Sequence, residues 1–526
     1  MMQKLLICAA VCLLPLIACR QETVTKEDVL LTLDSLEHKS EVLDHRIMEQ
    51  YWSLYTTGKA DSLEFYDDLY ARVFGDDRTR MVLEQGKRLL SDKDDIRRWE
   101  LIHEMALLGG ISTDPSVSDL TDSLRSINIG YRAVFEGDNW NANDLYTLYR
   151  TEGDPTRREA AYRAYVSNGE LLHEGLERLI RLRNQRARKL GYNNYLAMAF
   201  SKSEVEIEDY LDLLDQLEKR SNIAYDSVMS ALSTAAGSQP LEIWDLGYAL
   251  SSVRNDIDRY FPVDSQLVFV DRTLERIGID MDKLPIYFDL ESRPSKSQFA
   301  YAFPVKPPHD VRVLANLRPG LQSMRTLLHE MGHAIHSTSV SQNRALFNRN
   351  ISGAWAEAVA QIMAGICDER NWLTEVAHVP AEIIDRHMEQ KRRSDLIYLR
   401  HSLTRLTWEL KAYTNPNQDL NKLYWDLFER FMSLPRHDDI HAWASVIHYT
   451  THPVYIQNYL FADIVTAQTR KYLERKGVVL GADVATQSFL DQNYMRFGAR
   501  YPWTELLERG TEESLNPNHL LKQLGI

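Results

Sequence analysis

From Lys26 to about Tyr260 apolar positions return at intervals of three and four residues, the period of helices that each bury one face. The stretch LLHEGLERLIRLRNQRARKLG, residues 171–191, shows this most clearly: leucine and isoleucine recur on one side, charges fill the other, and Gly191 is a natural stop. Gly-Asp-Pro at 153–155 and Gly-Ser-Gln-Pro at 237–240 read as turns between helices. The pattern changes between about 285 and 318, where PIYFDL, SQFAYAFPV and VRVLANL are short, alternating or β-branched, and bounded by proline and charge. These runs predict a small sheet of two to four strands. Helical periodicity resumes at Leu321 and continues to the end, so the expected fold class is mainly α with a small β-sheet next to the helix that starts there.

A chain of 526 residues, 44% hydrophobic and 26% charged, can bury a substantial core. Its 75 acidic residues outnumber 61 basic ones, and the net charge of −14 repels polyphosphate and anionic surfaces, which argues against a nucleic-acid partner. The amino terminus, MMQKLLICAAVCLLPLIACRQ, has Lys4 followed by an apolar run from Leu5 to Ala18. That run is shorter than the ~20 residues a helix needs to span a bilayer, so it reads as a secretory signal. Leu-Ile-Ala-Cys at 16–19 resembles a bacterial lipoprotein box, with cleavage before Cys19 and lipid on that cysteine. The organisation expected is a signal at 1–18, a lipidated tether at 19–26 and one large helical domain at 27–526, with lobes at 27–260 and 261–526. Arg20 rather than aspartate after the cysteine implies an outer-membrane lipoprotein, facing periplasm or cell surface and touching the membrane through its lipid alone. Cys8 and Cys12 leave with the signal, so no disulfide framework is possible, and Cys367 in IMAGICDE reads as a small buried residue.

The chemistry is concentrated in TLLHEMGHAIH, residues 326–336. His329, His333 and His336 are four and three residues apart, so on a helix all three project from one face. His-Glu-x-x-His is the arrangement in which two imidazoles ligate Zn²⁺ and the glutamate between them, Glu330, acts as general base toward the attacking water. A catalytic zinc needs a third protein ligand and one open position. A metzincin pattern fails because residues 336 and 339 are His and Ser, and a thermolysin-like spacing falls on Gly353. Glu357 stands 24 residues after His333, early in a helix that Ser352 could cap. His336 is expected to be a supporting or packed histidine, because a fourth protein ligand would close the water position.

HEMGHAIHSTSVSQNRALFNRNISGAWAEAVAQIM resembles the zinc segment of the angiotensin-converting-enzyme family, the M2 peptidyl-dipeptidases, and is also similar to the thimet oligopeptidase family, M3. The resemblance extends to LRNQRARKLGYNNYLAM (182–198), WELKAYTNPNQDLNKLYWDLFERF (408–431) and HPVYIQNYLFADIV (452–465). It implies a two-lobed helical gluzincin with a deep central cleft, one Zn²⁺ held by His329, His333 and Glu357, and short peptides as substrates. The 24-residue separation is that of M2, whereas the M3 glutamate usually comes one residue later, so the resemblance implies first a peptidyl-dipeptidase that releases carboxyl-terminal dipeptides, with M3-like internal cleavage as the alternative and a non-catalytic surface-binding lipoprotein as the reading from another class. The acidic residue that usually orients a zinc histidine, four positions after the ligand glutamate, is replaced here by Gln361.

Amide hydrolysis also creates an oxyanion, which a neutral hydrogen-bond donor stabilises. HYTTHPVYIQNYLF, residues 448–461, offers His448, His452, Tyr455 and Tyr459, and in both families a late helix carries histidine followed by two tyrosines. By that resemblance Tyr459 is assigned to the oxyanion, Tyr455 to the substrate carboxylate and His448 to the substrate backbone, with the tyrosine register open by one residue. Gln457 or Asn458 stands where M2 members carry a chloride-binding arginine, so chloride activation at that point is not expected. FAYAFP at 299–304, including Ala300 and Tyr301, is the expected substrate-pairing strand.

Overall fold

The computed structural model describes residues 24–201, 203–236 and 240–526. Cys19 and the signal before it lie outside the described residues, as do positions 237–239 of the turn read at 237–240. The first helix, α1 (Lys26–Thr57), begins inside the stretch read as a tether. Its start is set by a reciprocal cap: Asp28 N–H donates to Thr25 Oγ1 at 3.2 Å and Thr25 N–H to Asp28 Oδ2 at 2.9 Å. The amphipathic stretch at 171–191 forms a helix over Gly169–Lys189, and Gly191 follows with φ +90. Among the described residues no helix is long and apolar enough to cross a membrane.

Strands fall into two sheets. A hairpin of β1 (Ala133–Phe135) and β2 (Asp138–Trp140), which the apolar pattern does not announce, interrupts the helical first half. The predicted sheet is present as β3 (Ile286–Asp289), β4 (Tyr301–Lys306) and β5 (Asp310–Leu314) in the order β3-β5-β4. β5 is central, parallel to β3 and antiparallel to β4, and its Val311, Val313 and Leu314 are fully buried. β4 is therefore an edge strand. Phe303 and Val305 on β4 pack into an aromatic cluster with Trp52 and Tyr55 of α1, and His45 Nδ1 lies 2.9 Å from the Val305 carbonyl.

Behind the sheet, α2 (Leu321–Ser339) lies against α3 (Gly353–Gly365). Contacts between them pair rising numbers on one with falling numbers on the other, so the helices are antiparallel: His333 meets Glu357, Gly332 meets Ala360, and Arg325 forms an ion pair with Asp368 just beyond α3. Two further helices complete the surroundings of this pair, α4 (Ala381–Thr414) and α5 (Gln457–Arg475), the latter packed on α3. A single apolar core runs from Ile111 to Leu524, joining residues from before and after position 260, as where Tyr210 packs on Phe461 with ring centres 5.5 Å apart. A smaller core ties α1 to Trp99, Ile102, Leu346 and Phe347. Cys367 is buried and free.

The tightest point between α2 and α3 is Gly332. A Cβ there would lie 2.6 Å from Ala360 Cα and 3.2 Å from the Val359 carbonyl oxygen, contacts with backbone that cannot rotate away. A Gly→Ala change on an exposed helix stabilises by about 1 kcal/mol. Gly332→Ala should do the reverse, lowering stability by about 1–3 kcal/mol through overpacking and weakening metal binding by separating the helices. Thermal denaturation and zinc titration check this; an unchanged or higher melting temperature rules out the close-approach account.

Candidate metal centre

His329 and His333 stand one turn apart on α2, with ring planes at 90° and Nε2 atoms 3.2 Å apart. α3 delivers Glu357 to the same point: its Oε2 is 3.3 Å from His329 Nε2 and 3.7 Å from His333 Nε2. Three donors bound at ~2.0–2.1 Å to one tetrahedral ion must lie about 3.4 Å from one another, which is the spacing these atoms show. Glu357 Oε2 is buried and has no hydrogen-bond partner, whereas Oε1 accepts from the Tyr455 phenol at 2.8 Å. An orphaned carboxylate oxygen aimed at two imidazole nitrogens is costly unless a cation completes it. The N₂O donor set and the free fourth direction fit Zn²⁺. Ser352 occupies the cap position of α3, but its side chain makes no capping hydrogen bond.

The electrostatics favour a cation here. Burial opposes ionisation of Glu357, but the contacts with both histidines and Tyr455 outweigh it and hold the carboxyl below its ordinary value. Burial, aided by the neighbouring His329, lowers His333 to about 4 and keeps it neutral, as a ligand must be. Burial pushes Glu330 up to about 7, against the pull of His329 and of the Ala302 N–H on β4. That last contact brings the edge strand beside Glu330. Tyr301 packs edge-on against Tyr55 at 4.7 Å, and Ala300 immediately precedes the strand.

The late segment closes in from another side. Tyr459 Oη is 3.5 Å from His448 Nε2, and burial, with help from His452 and Arg405, lowers His448 to about 4. Tyr455, read as a substrate-end group, spends its hydroxyl on Glu357 Oε1, so of the two phenols Tyr459 is the one not tied to a metal ligand. Gly353 makes room for this segment, since a Cβ there would lie 3.0 Å from the Tyr455 ring and 2.4 Å from Asn458 Nδ2. His336 is buried among apolar neighbours, neither ring nitrogen has a partner, and burial lowers it to about 3. No hydrogen bond joins Gln361 to either zinc histidine.

Two buried charges that the motif reading passes over hold the His448–Tyr455 segment in place. Arg183 donates to the carbonyls of Tyr449, at 2.7 Å, and Thr450. Glu409 Oε1 accepts the Val454 N–H at 2.7 Å, where the valine is held at φ +55, a conformation β-branched residues avoid. The signal for Arg183 was present in the sequence: it lies on the apolar stripe of its helix with Leu176, Ile180 and Ala187, where a charge must find a buried partner. Glu409 carries the same signal, since it lies on the buried stripe of its helix with Leu406, Ala412 and Tyr413, but its partner, a backbone N–H in a distant loop, could not be read from spacing.

The family model that matches is that of Peptidase family M3, over residues 148–277 and 280–525, a range that contains His329, His333, Glu357, His448, Tyr455 and Tyr459, so the M2 family that the Glu357 spacing put first gives way to M3. The organellar oligopeptidase A of Arabidopsis thaliana chloroplasts and mitochondria is 26% identical over 292 residues, covering 42% of this chain and 36% of its own length. The group B oligopeptidase PepB of Streptococcus agalactiae serotype III (strain NEM316) is 22% identical over 382 residues, covering 68% of this chain and 60% of its own. The chain thus spans less than two thirds of the length of each of these relatives.

Glu409 supplies a pH test of the scaffold. Burial raises its carboxyl to about 7, with the Val454 N–H and Arg183 pulling the other way. A folded value above the unfolded one means that the stability it contributes is complete below about 4.5 and is lost as pH rises through about 7, a change of order 2–3 kcal/mol. Glu409→Gln keeps an acceptor for Val454 without the charge. Its unfolding midpoint should match the parent's at pH 4.5–5 and exceed it at pH 8; parallel pH profiles for the two proteins count against a buried, reluctant carboxylate.

Proposed function

The chain belongs to peptidase family M3, and we propose that it is a zinc metallo-oligopeptidase that hydrolyses short peptides. The observation that carries this reading is the unpartnered Glu357 Oε2, aimed with two imidazole nitrogens at one tetrahedral position. A Zn²⁺ held there by His329, His333 and Glu357 would supply Lewis-acid polarisation of the scissile carbonyl and of the attacking water.

The remaining steps belong to the chain's own side chains. Glu330, on the same turn as both ligands and beside the edge of β4, takes a proton from water and passes it to the leaving amine. Tyr459 donates its phenolic hydrogen to the developing oxyanion, with His448 adjoining it as a neutral partner for the substrate backbone. Tyr455 keeps Glu357 oriented through its hydrogen bond. The free edge of β4 at Tyr301, following Ala300, pairs the extended peptide. Cleavage of oligopeptides is what the family and the names of both relatives support; release of carboxyl-terminal dipeptides is the narrower form of the same reaction. Export and lipid attachment at Cys19, to the outer membrane, completes the proposal and rests on the sequence alone.

Glu330→Gln should retain one Zn²⁺ per chain and its melting temperature while losing about 10²–10⁴-fold in kcat; hydrolysis at the parental rate sinks the assigned base and favours a binding role for the fold. Chelation should abolish activity, and added Zn²⁺ restore it. Mass spectrometry of the fragments of a ten-residue peptide separates stepwise loss of dipeptides from internal cuts. Cys19→Ser should move the protein from the membrane to the soluble fraction, and an unchanged distribution removes the lipid anchor.

A further inference from the structure

Helix α4 presents Tyr398, His401 and Arg405 at intervals of three and four residues, on one face. Tyr398 is 50% exposed and Arg405 half-buried, so this face is reachable from solvent. The Arg405 Nε is buried without a hydrogen-bond partner, and among the described residues no carboxylate pairs with its guanidinium. Its surroundings are neutral phenols instead: Tyr424, Tyr449, Tyr398 and Tyr165. Three other buried arginines are fully provided for. Arg98 meets Asp34, Glu37 and Asp95; Arg158 meets Asp245; Arg400 meets the Phe431 carbonyl, Ser221 and Asn222. In a chain with 75 acidic residues, an acid-free guanidinium is not a shortage of partners.

Its position points to what fills the gap. Tyr449, next to His448, donates its hydroxyl to the Arg405 carbonyl at 3.0 Å, which sets this turn of α4 against the segment that carries His448 and Tyr459, and the charge of Arg405 helps to lower His448. A guanidinium cannot shed its proton to escape desolvation, and its fork of donors matches a carboxylate bidentately. The surrounding phenols can add hydrogen bonds to the same anion without competing for the cation.

Resting on the peptidase reading above, we infer that Arg405 is a carboxylate-binding subsite that fixes the peptide relative to the metal centre. The carboxylate is either the substrate's free carboxyl terminus or an acidic side chain, and one peptide series separates them. A ten-residue peptide is prepared with a free or amidated terminus, and with one internal glutamate or glutamine. Each is assayed with zinc-loaded parent, Arg405→Lys and Arg405→Met, and its binding to zinc-loaded Glu330→Gln, alone and combined with Arg405→Met, is measured by calorimetry.

For a terminal-carboxylate subsite the parent should prefer the free over the amidated peptide by about 10–100-fold in kcat/KM, the worth of a charge-assisted contact. That ratio should collapse toward one in Arg405→Met and partly recover in Arg405→Lys. For an acidic side chain the same collapse appears in the glutamate-to-glutamine ratio. Ratios that are equal in parent and variants overturn the inference. Failure of both variants to fold overturns it too, because an arginine without partners is not expected to hold the structure together. Absence of hydrolysis in the parent condemns the peptidase reading alone, since the calorimetric preference still tests Arg405.

Discussion

The centre depends on how closely two antiparallel helices approach. Metal ligation by side chains from α2 and α3 requires donor atoms within a few tenths of an ångström of tetrahedral spacing, and short side chains such as histidine and glutamate cannot bridge a wide gap. Gly332, between the two zinc histidines, removes the Cβ that would strike Ala360, and the Arg325–Asp368 ion pair fastens the same two helices further along. Burial of Asp368 opposes its charge, but Arg325 and Lys391 more than compensate and hold its carboxyl well below the usual range. Packing and charge thus set one distance, and the ligand triangle of 3.2, 3.3 and 3.7 Å follows from it.

Around that triangle the chain uses buried polar groups to aim other polar groups. Tyr455 orients Glu357, Glu409 pins the backbone at Val454 ahead of Tyr455, and Arg183 holds the carbonyls of Tyr449 and Thr450 beside His448. These contacts are buried or part-buried, where hydrogen bonds are stronger than in water and an unmet group is costly. A rigid shell of this kind keeps His448 and Tyr459 in register with the helix pair, although His448 comes 83 residues after Gly365 at the end of α3. Arg405 stands out against this economy as a cation the fold leaves unmet.

The 24-residue separation of His333 and Glu357 put the chain with M2 ahead of M3, and the family match reverses that order. Residues 148–525 as a whole, with one short break, align with the M3 description, which weighs several hundred positions rather than four. The glutamate spacing is a local property of one loop between two helices. Family membership is a property of the whole helical framework, and here the framework decides.

How much was legible in the sequence follows from the range of the interactions. Helix periodicity, the short strands at 285–318, and the pairing of His329 with His333 are local: they depend on residues a few positions apart, and the folded chain shows each of them. The hairpin at 133–140 stayed hidden because its strands are three residues each, too short for alternation to register. Assigning Tyr455 to the substrate rested on family resemblance, whereas its bond to Glu357 depends on how the loop that leads into α5 meets α3, which no spacing encodes. The sequence by itself determined the donor atoms and the class of chemistry, since side-chain type and helical pitch are local facts. Only the tertiary structure decided which groups find partners and which, like Glu357 Oε2 and Arg405 Nε, do not, because partners come from residues far apart in the chain.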